Sequence, residues 1–476
     1  MTDRSPASGA QTRIDHVVAL ALENRSFDHL LGDLARRGAI RADGGRADML
    51  NLDLNGSPVP IGATTADIAP DLPHDFSSVL ISQMDQQGGF VRADQLARRA
   101  STAADPRRVM SYYGADTLPV SHRLAREYGV SDEWFASVPA GTWPNRLFMI
   151  AATSSGRVTN TVPALLYDVP TVFDRLGHGA WTIYNDQIPN VTLVRSMAAE
   201  WAVSRFGGGP FRSIGQFEDD CAAGALPFFS FIEPVYLGAN ADDAHPPHDI
   251  TRSERFIARV YRAVRRSPSW GRTVLVITYD EHGGLFDHRP PPVPVPSTEP
   301  GEYGFTFGRL GVRVPCLIIS PLVERGTVWR PGPGKFADHT SLVATVLRRD
   351  GLEPLTDRDA AAADLWSAFS LGTPRTDDGN TADGIEVWLA GQEAVATSET
   401  IGPLDPESLR SRSGREVATA IVAAAATSPT RAAPELETVS SMPTRALVPG
   451  DIPFEQALVE LAQRIVALPR TEMAET

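Results

Sequence analysis

A hydrophobic run that ends in two adjacent carboxylates constrains the fold of this chain more than any other stretch. The run covers residues 273–277, is rich in β-branched residues, and leads to Asp280 and Glu281, which a Gly-Gly turn follows. Short continuous apolar runs are typical of strands buried on both faces in α/β proteins. Because such proteins bind ligands at the carboxyl ends of strands, the pattern predicts an α/β fold with a site here. One Asp-Glu pair alone is more often a polar turn that caps a strand.

A second apolar run ends in a similar way. Residues 16–22, HVVALAL, are followed by Glu23 and Asn24. Carboxylate and amide oxygens are the ligands that hard cations such as Ca²⁺ and Mg²⁺ prefer. The same residues also fit a helix start in which Asn24 or Ser26 is the N-cap. The local sequence leaves both interpretations open.

Other periodic segments indicate how the chain is layered. Strand-like runs lie at 181–184, 228–232 and 314–319, and helix-like segments lie at 147–153, 250–266 and from 336 through 347. Strands followed by helices, with polar residues at several strand ends, predict a mixed α/β layered domain. Residues 40–120 show no clear period of either kind.

Polar residues that could take part in catalysis or binding also occur outside the strand ends. Thr142 lies near the start of a predicted helix, whose positive end favours an anion or a developing alkoxide. From the local pattern alone, Thr142 is better explained as a helix cap. Histidines occur in loops and at turns, and an isolated loop histidine is usually a surface residue; they are His74, His245, His248, His282, His288 and His339.

These residues would form one chemical site if they converge. Three acids and an amide beside a hydroxyl suit a divalent cation that orients the hydroxyl for attack. Nearby histidines can hold phosphoryl oxygens or protonate a leaving alcohol. The spacing in the sequence does not by itself bring them together.

Length and charge limit the possible classes of protein. A chain of 476 residues predicts one large domain with an appendage. We predict a disordered tail at 1–12, a catalytic domain at 13–375 and a C-terminal extension at 376–476. Within the extension, helices are predicted at 415–427 and 453–467, with a linker near 429–443. The net charge of −14 argues against broad nucleic-acid binding.

Cysteine content and hydropathy add expectations about location. Cys221 and Cys316 are expected to be free buried thiols. No run approaches the roughly 18 apolar residues of a membrane-spanning helix. The first residues lack the hydrophobic segment of a secretory signal, so a cytoplasmic location is expected, or export if a signal was trimmed.

Six segments, taken in order, resemble those of a known family. They are ENRSFDHLLG, SVPAGTWPNRLF, DDAHPP, YDEHGGLFDH, LGVRVPCLIISPLVERGTV and FADHTSL. The chain resembles, over roughly residues 14–350, the phosphoesterase family of bacterial phospholipases C, plant non-specific phospholipases C and related acid phosphatases. That family belongs to the alkaline-phosphatase-like superfamily. The resemblance implies a layered α/β/α domain with a central, mostly parallel sheet.

The resemblance also implies roles for single residues, which we list by role. The ligands of one divalent metal would be Glu23, Asn24, Asp280 and Glu281. The nucleophile would be Thr142, forming a phosphothreonine, with His74 and His245 on the phosphoryl group and His339 beside them or acting as the acid. Substrate would also contact His282, Asn145 and Arg146, whereas His288 is either part of the site or structural. An all-oxygen ligand set favours Ca²⁺, Mg²⁺ or Mn²⁺ over Zn²⁺.

The implied function is that of a metal-dependent phosphoesterase. The first expectation is a phospholipase C that yields diacylglycerol and a phosphorylated head group. One alternative is an acid phosphatase that acts on phosphomonoesters, and another is a non-catalytic protein that binds phosphate or a head group. The expected partner is a phospholipid or a small phosphoester, without nucleic acid, and the oligomeric state is left open. Threonine at position 142, where sulfatases need a modifiable Cys or Ser, makes sulfatase chemistry unexpected.

Overall fold

The computed structural model describes Gly9 and residues 13–396, apart from 66, 69, 99–104, 116, 162–165, 205–207, 239 and 293–294. Except for Gly9, the predicted tail at 1–12 lies outside the described residues. The predicted helices at 415–427 and 453–467 and the linker near 429–443 lie outside them as well.

An eight-stranded sheet forms the centre of the described part of the chain. Its strands are β1 (His16–Leu22), β2 (Gly129–Ser131), β3 (Trp181–Tyr184), β4 (Phe211–Arg212), β5 (Phe229–Ile232), β6 (Thr273–Tyr279), β7 (Cys316–Ile319) and β8 (Val328–Trp329). Their spatial order is β8-β2-β7-β6-β1-β5-β3-β4. Only β7 runs against its neighbours, and the other strand pairs of this sheet are parallel. The predicted mixed α/β fold with a mostly parallel sheet is confirmed.

The two strands at the middle of this sheet are the ones with the longest apolar runs. Every residue of β6 is buried, and so is every residue of β1 except His16 at its start. A strand with neighbours on both edges and layers on both faces needs apolar side chains in both directions, which explains the uninterrupted runs. The parallel register pairs Leu22 with Tyr279, so both strands end at the same level.

Four helices matter most for the site and for the packing around it. They are α1 (Thr142–Ala151), α2 (Ile250–Arg266), α3 (Thr340–Arg349) and α4 (Thr381–Ala396). The α2 helix begins where its apolar spacing predicts, because the Asp249 side chain accepts a hydrogen bond from the Thr251 amide at 2.8 Å. Its buried face carries Phe256, Ile257 and Val260.

The remaining helices and strands are short. The other α-helices are Phe27–Leu30, Gly32–Arg36, Phe76–Ser82, Met84–Gln87, Phe90–Arg98, Ser121–Glu127, Val172–Leu176, Arg195–Ser204, Ile214–Ala223 and Asp357–Ala361. Short 3₁₀ turns are Pro106–Arg108, Asn190–Leu193, Trp270–Arg272, Glu302–Gly304 and Leu365–Ala368. Three small two-stranded pairs join Leu50–Leu52 to Pro58–Pro60, Gly62–Thr64 to Ser111–Tyr113, and Trp134–Phe135 to Ala337–Asp338.

Several element boundaries differ from the predicted ones. The helix predicted at 147–153 begins at Thr142 and ends at Ala151, because the Pro144 ring is compatible with a first helical turn. The segment predicted to start a helix at 336 first forms a strand at Ala337–Asp338, and α3 starts at Thr340. Residues 40–120, which showed no clear period, contain helices and strands that are too short to produce one.

Two further sequence expectations concern thiols and membranes. Cys221 and Cys316 are free and buried, as predicted. No helix among the described residues combines the length and the apolar character needed to cross a membrane.

Candidate active site

The ends of β1 and β6 bring together the residues that the sequence singled out. The Asp280 amide donates to the Leu22 carbonyl at 3.1 Å, and the Arg25 amide donates to the Glu281 carbonyl at 2.9 Å. The Asn24 amide donates to Asp280 Oδ1 at 3.0 Å. These bonds fasten the two polar turns to each other, side by side at the carboxyl edge of the sheet.

The close approach of the two turns depends on a glycine. Asn24 has a φ of 60° and Gly283 a φ of 62°, both in the left-handed region. A Cβ on Gly283 would lie 2.3 Å from the Asn24 carbonyl oxygen. Position 283 therefore requires glycine both for its backbone conformation and for the contact. Ser26 caps the helix that follows by accepting from the His29 amide, so the cap and the polar turn coexist.

The carboxylates in this cluster are almost fully buried. Glu23 is 2% exposed, and Asp280 and Glu281 are 0% exposed. Burial, followed by repulsion from Asp280, raises the pKa of Glu23 well above its ordinary value. Burial also raises the pKa of Asp280 to about 6, although the Arg146 guanidinium opposes this rise. Burial would raise the pKa of Glu281 too, but the neighbouring His74 and His282 hold it below its usual value.

Several oxygens of the cluster have the properties of cation ligands. Asn24 Oδ1, Asp280 Oδ2 and Glu281 Oε1 are buried and accept no hydrogen bond from the described residues. Buried acceptors are normally satisfied, so three unsatisfied ones in two adjoining turns are suitable ligands for a cation. Together with Glu23 they offer an all-oxygen set, which fits a hard divalent cation.

Arg146 lies beneath the acid cluster, one helical turn after Thr142. Its Nη2 donates to the Leu22 carbonyl at 2.9 Å and lies 3.4 Å from Glu23 Oε1, and its Nε lies 3.5 Å from Asp280 Oδ2. Burial works against the charge of Arg146, but the surrounding carboxylates raise its pKa. The guanidinium thus contacts two predicted metal ligands, and its predicted contact with the substrate stays a prediction.

Thr142 occupies the first position of α1, after the cap residue Gly141. Its side chain lines a small cavity of about 20 Å³ together with Glu23 and His245. A hydroxyl at a helix N-terminus and next to carboxylates is placed where a nucleophile or a bound anion gains from the helix dipole. The predicted neighbourhood of Thr142, Glu23 and His245 is present in the structure.

Asn145 supports the turn before Thr142. Its Oδ1 accepts from the Val138 amide at 3.1 Å, and its Nδ2 donates to the carbonyls of Ala140 and Gly141 at 2.9 and 3.1 Å. Both ends of the amide contact backbone, and the residue is 0% exposed. Asn145 therefore fixes the turn instead of facing the cavity, where we predicted that it binds substrate.

His74 and His245 lie next to each other at the edge of the acid cluster. Their ring centroids are 5.7 Å apart, and His74 Nε2 lies 4.0 Å from Glu281 Oε1. Burial alone would lower the pKa of His74, but Glu281 and Asp71 raise it to about 9. His74 is therefore protonated at neutral pH. Ligand atoms of Asp71, His74 and His245 lie within 4.8 Å of one another.

His245 is oriented by its own loop. Its Nδ1–H donates to the Pro246 carbonyl at 2.5 Å, and its amide donates to Asp243 Oδ1 at 3.0 Å. The same oxygen, Asp243 Oδ1, lies 2.7 Å from His248 Nδ1, within hydrogen-bond distance. Asp243 thus fixes the loop from which His245 reaches the cavity.

The two other predicted histidines lie behind the ligands. His339 Nε2 donates to the Asp280 carbonyl at 2.6 Å, and the Trp134 indole lies 3.4 Å from its Nδ1. Burial lowers the pKa of His339 to about 3, so the ring is neutral. His282 Nδ1 lies 3.0 Å from Glu281 Oε2. Neither lines the cavity, so the predicted acid role of His339 and substrate contact of His282 are not visible in this geometry.

His288 belongs to a separate buried network. Its Nδ1 lies 2.7 Å from Asp28 Oδ2, and Arg313 contacts both Asp28 and Asp287 at 2.9 and 3.0 Å. Ligand atoms of Asp28, Asp287 and His288 lie within 4.8 Å of one another, as in a metal site. The Arg313 guanidinium already supplies the positive charge there, which favours the structural interpretation of His288.

Sequence reasoning missed a group at the ends of β5 and β3. Glu233 follows β5 and is fully buried; Asn190 and Tyr236 line the cavity near it. Glu233 carries the same signal as Glu23 and Asp280, a carboxylate directly after a buried strand, and could have been found. Asn190 lies in an irregular segment with no comparable signal.

The fold and this geometry define a class of protein before any comparison is made. A mostly parallel α/β sheet ends in a buried acidic cluster, and a threonine hydroxyl at a helix start faces the same cavity. This is the arrangement of an α/β enzyme whose site lies at the carboxyl ends of its central strands.

The chain belongs to the phosphoesterase family, whose family model matches residues 14–353. It is 34% identical to non-specific phospholipase C3 of Arabidopsis thaliana over 413 residues, which cover 79% of this chain and 78% of the relative. It is 28% identical to phospholipase C A of Mycobacterium tuberculosis over 429 residues, covering 78% and 79% of the two chains. The protein is thus a hydrolase that acts on phosphoric ester bonds.

Solved structures with similar folds are only distantly related. They include a protein of the alkaline phosphatase superfamily from Vibrio parahaemolyticus, with 14% identity, a TM-score of 0.31 and coverage of 52% of this chain and 63% of that one. The lipoteichoic acid synthase LtaP from Listeria monocytogenes has 10% identity and a TM-score of 0.38, and the match covers 84% of this chain and 97% of the synthase.

Proposed function

We propose that this phosphoesterase is a metal-dependent phospholipase C that hydrolyses phospholipids to diacylglycerol and a phosphorylated head group. The observation that carries the proposal is the set of buried, unsatisfied oxygens beside the cavity that Thr142 lines. The names of the relatives given above, non-specific phospholipase C3 and phospholipase C A, support the choice of substrate.

In the proposed site, Glu23, Asn24, Asp280 and Glu281 hold one divalent cation. When bound, the cation supplies positive charge that favours the ionised hydroxyl of Thr142 and the developing charge on the phosphoryl group. The oxygen-only ligand set favours Ca²⁺, Mg²⁺ or Mn²⁺ over Zn²⁺. Metal analysis of protein loaded with equimolar cations tests this order, and retention of zinc alone would contradict it.

The proposed reaction has two displacements at phosphorus. Thr142 Oγ loses its proton to solvent and forms a bond to phosphorus while the bond from phosphorus to the glycerol oxygen breaks, and the leaving diacylglycerol takes up a proton from His245. Water then attacks the phosphothreonine diester, which releases the phosphorylated head group and restores the hydroxyl.

The histidines handle charge and protons in this proposal. His74, which is protonated at neutral pH, holds a phosphoryl oxygen, and His245 supplies the proton to the leaving alcohol. Arg146, Asn145 and His339 position the ligands and the turn before Thr142 through the contacts described above. His282 orients Glu281.

A Thr142→Ala variant tests the nucleophile. We expect its turnover to fall by at least about 10³-fold with an unchanged fold, since the variant lacks the hydroxyl that forms the proposed covalent intermediate. The measurement is hydrolysis of p-nitrophenylphosphorylcholine and of phosphatidylcholine vesicles, with circular dichroism as the folding control. Unchanged turnover in folded protein would refute the role of Thr142.

An acid phosphatase that acts on monoesters is the second candidate. It would use the same metal ligands and the same nucleophile, since a phosphomonoester differs from a diester only by the alkyl group on one phosphoryl oxygen. Turnover of p-nitrophenyl phosphate against p-nitrophenylphosphorylcholine, with and without EDTA, separates the two. A chelator-sensitive preference for the diester supports the phospholipase C, and a preference for the monoester supports the phosphatase. A metal-replete protein that turns over neither would indicate a binding role.

A further inference from the structure

Asn190 is a buried amide on the wall of the cavity. It is 5% exposed, and it lines the cavity with Glu23 and Thr142. Its Oδ1 has no hydrogen-bond partner among the described residues, while its Nδ2 donates to Glu23 Oε1 at 3.4 Å. A buried amide with one end unsatisfied indicates a side chain that works on a group bound in the cavity or beside it.

Glu233 determines where Asn190 lies. The Glu233 carboxylate accepts hydrogen bonds from the backbone amides of Asn190 and Val191, at 2.6 and 3.0 Å. It also accepts a hydrogen bond from the Tyr236 hydroxyl. Because these bonds involve the backbone at the start of the Asn190–Leu193 turn, they fix the turn without any ligand. The Asn190 side chain is therefore held towards Glu23 by the fold.

Two donors approach the same oxygen of Glu23. Arg146 Nη2 and Asn190 Nδ2 each lie 3.4 Å from Glu23 Oε1. Arg146 Nη1 also lies 4.0 Å from Glu233 Oε2. Glu233 therefore lies next to the Arg146 guanidinium and accepts a hydrogen bond from the Asn190 backbone amide. With Oε1 engaged on this side, the second carboxylate oxygen, Oε2, is the one left for another partner. Outer contacts of this kind orient the ligands of metal sites.

We propose that Asn190, held by Glu233 and Tyr236, is a positioning residue for Glu23, which it turns so that Oε2 is offered to the cation. The inference rests on the proposed assignment of Glu23 as a metal ligand. The free Oδ1 of Asn190 accepts a hydrogen bond from a group bound in the same cavity.

The test measures cation binding instead of activity. Metal-free wild type and Asn190→Leu are titrated with Mn²⁺ and with Ca²⁺ by calorimetry, and their thermal midpoints are recorded without metal. We expect Asn190→Leu, which keeps the size of the side chain and removes the donor, to bind about 10- to 100-fold more weakly. Thr192→Ala is the matched control, because the Thr192 hydroxyl donates to the Pro189 carbonyl on the same turn. It should bind like wild type.

The outcomes separate the inference from the metal site itself. If Glu23→Gln weakens binding and Asn190→Leu does not, the inference is overturned and the metal site stands. If Glu23→Gln binds like wild type, the assignment of Glu23 and the inference fall together. Should Asn190→Leu not fold, Asn190→Ala carries the same expectation, and wild-type affinity in that variant overturns the inference.

Discussion

Single residues at the site are governed by what burial does to polar groups. Asp280 and Glu281 follow the same strand, yet burial raises the pKa of Asp280, while His74 and His282 keep the pKa of Glu281 low. A carboxylate pair with such different neighbours cannot be understood from the residue types alone. Of the two histidines, His282 directly follows Glu281 in the sequence, whereas His74 is distant from it.

Gly283 allows a test of how much the close contact with the Asn24 carbonyl matters for stability. A non-glycine residue at positive φ ordinarily costs about 1–3 kcal/mol of stability. We expect Gly283→Ala to lower the free energy of unfolding by more than this, because its Cβ would also collide with the Asn24 carbonyl. Gly334→Ala is the matched control, with a φ of 71° and open space around the Cβ position. Urea unfolding measures both. Equal losses in the two variants would show that the contact is unimportant.

His29 should make stability depend on pH. Its Nδ1 donates to the Ser111 carbonyl at 2.8 Å and Arg25 Nη1 donates to its Nε2 at 3.1 Å, so the ring is neutral. Burial, then the Arg25 charge, lowers its pKa from 6.5 to about 3. Between these values the unfolded chain binds the proton and the folded chain does not. This contribution to stability is therefore complete above pH 6.5 and lost as the pH falls towards 3.

The expected slope from His29 is at most about 1.4 kcal/mol per pH unit. Urea unfolding at several pH values between 7 and about 4 measures it. We expect His29→Asn to reduce the slope of the free energy of unfolding against pH by the contribution of about one bound proton. The His178→Asn variant changes a mostly exposed histidine and should leave this slope as it is. An unaltered slope in His29→Asn would contradict the neutral, buried state of the ring.

At the scale of elements, one buried arginine joins the segments that carry the ligands. Arg313 precedes β7 and is 0% exposed; it contacts Asp28 after the β1 turn and Asp287 after the β6 turn. The Ser26 hydroxyl adds a bond to the Phe286 carbonyl at 2.7 Å. The polar turns are therefore held together by charge as well as by the sheet.

Removal of the Arg313 charge should be costly. Arg313→Met removes the guanidinium that pairs with two buried carboxylates, and we expect a loss of about 3–5 kcal/mol in the free energy of unfolding. Arg46→Met is the control, because the Arg46 and Asp48 side chains form an ion pair in which both are mostly exposed, at 80% and 68%. A much smaller loss is expected there, because exposed ion pairs contribute little to stability. Comparable losses would mean that burial of the Arg313 network contributes little.

At the scale of the whole molecule, the α4 helix lies beyond residue 375, where we predicted that the C-terminal extension begins. The α4 helix packs on α2, and its Ile385 and Leu389 join the main core. Arg266 on α2 also forms an ion pair with Glu386 on α4 at 2.9 Å. The first part of the predicted extension is thus a layer of the domain.

Substitutions on α4 test this packing. Leu389→Ala should lower the free energy of unfolding by about 2–5 kcal/mol, since the side chain is 2% exposed. Val387→Ala, two residues away and 76% exposed, should change it by less than about 0.5 kcal/mol. If Leu389→Ala were as mild as the control, α4 would not be a stabilising part of the domain.

The sequence by itself determined the central strands β1 and β6, the polar turns that follow them, and the place of Thr142 at a helix start. These features are local: apolar runs specify buried strands, and neighbouring parallel strands bring their ends together. Only the tertiary structure decided that Asn145 and His339 face backbone, that Arg146 lies under the acids, and that Asn190 and Glu233 join the site. Those contacts connect residues that are distant in the sequence, such as His339 and Asp280, or depend on irregular turns, where neither periodicity nor propensity fixes the direction of a side chain.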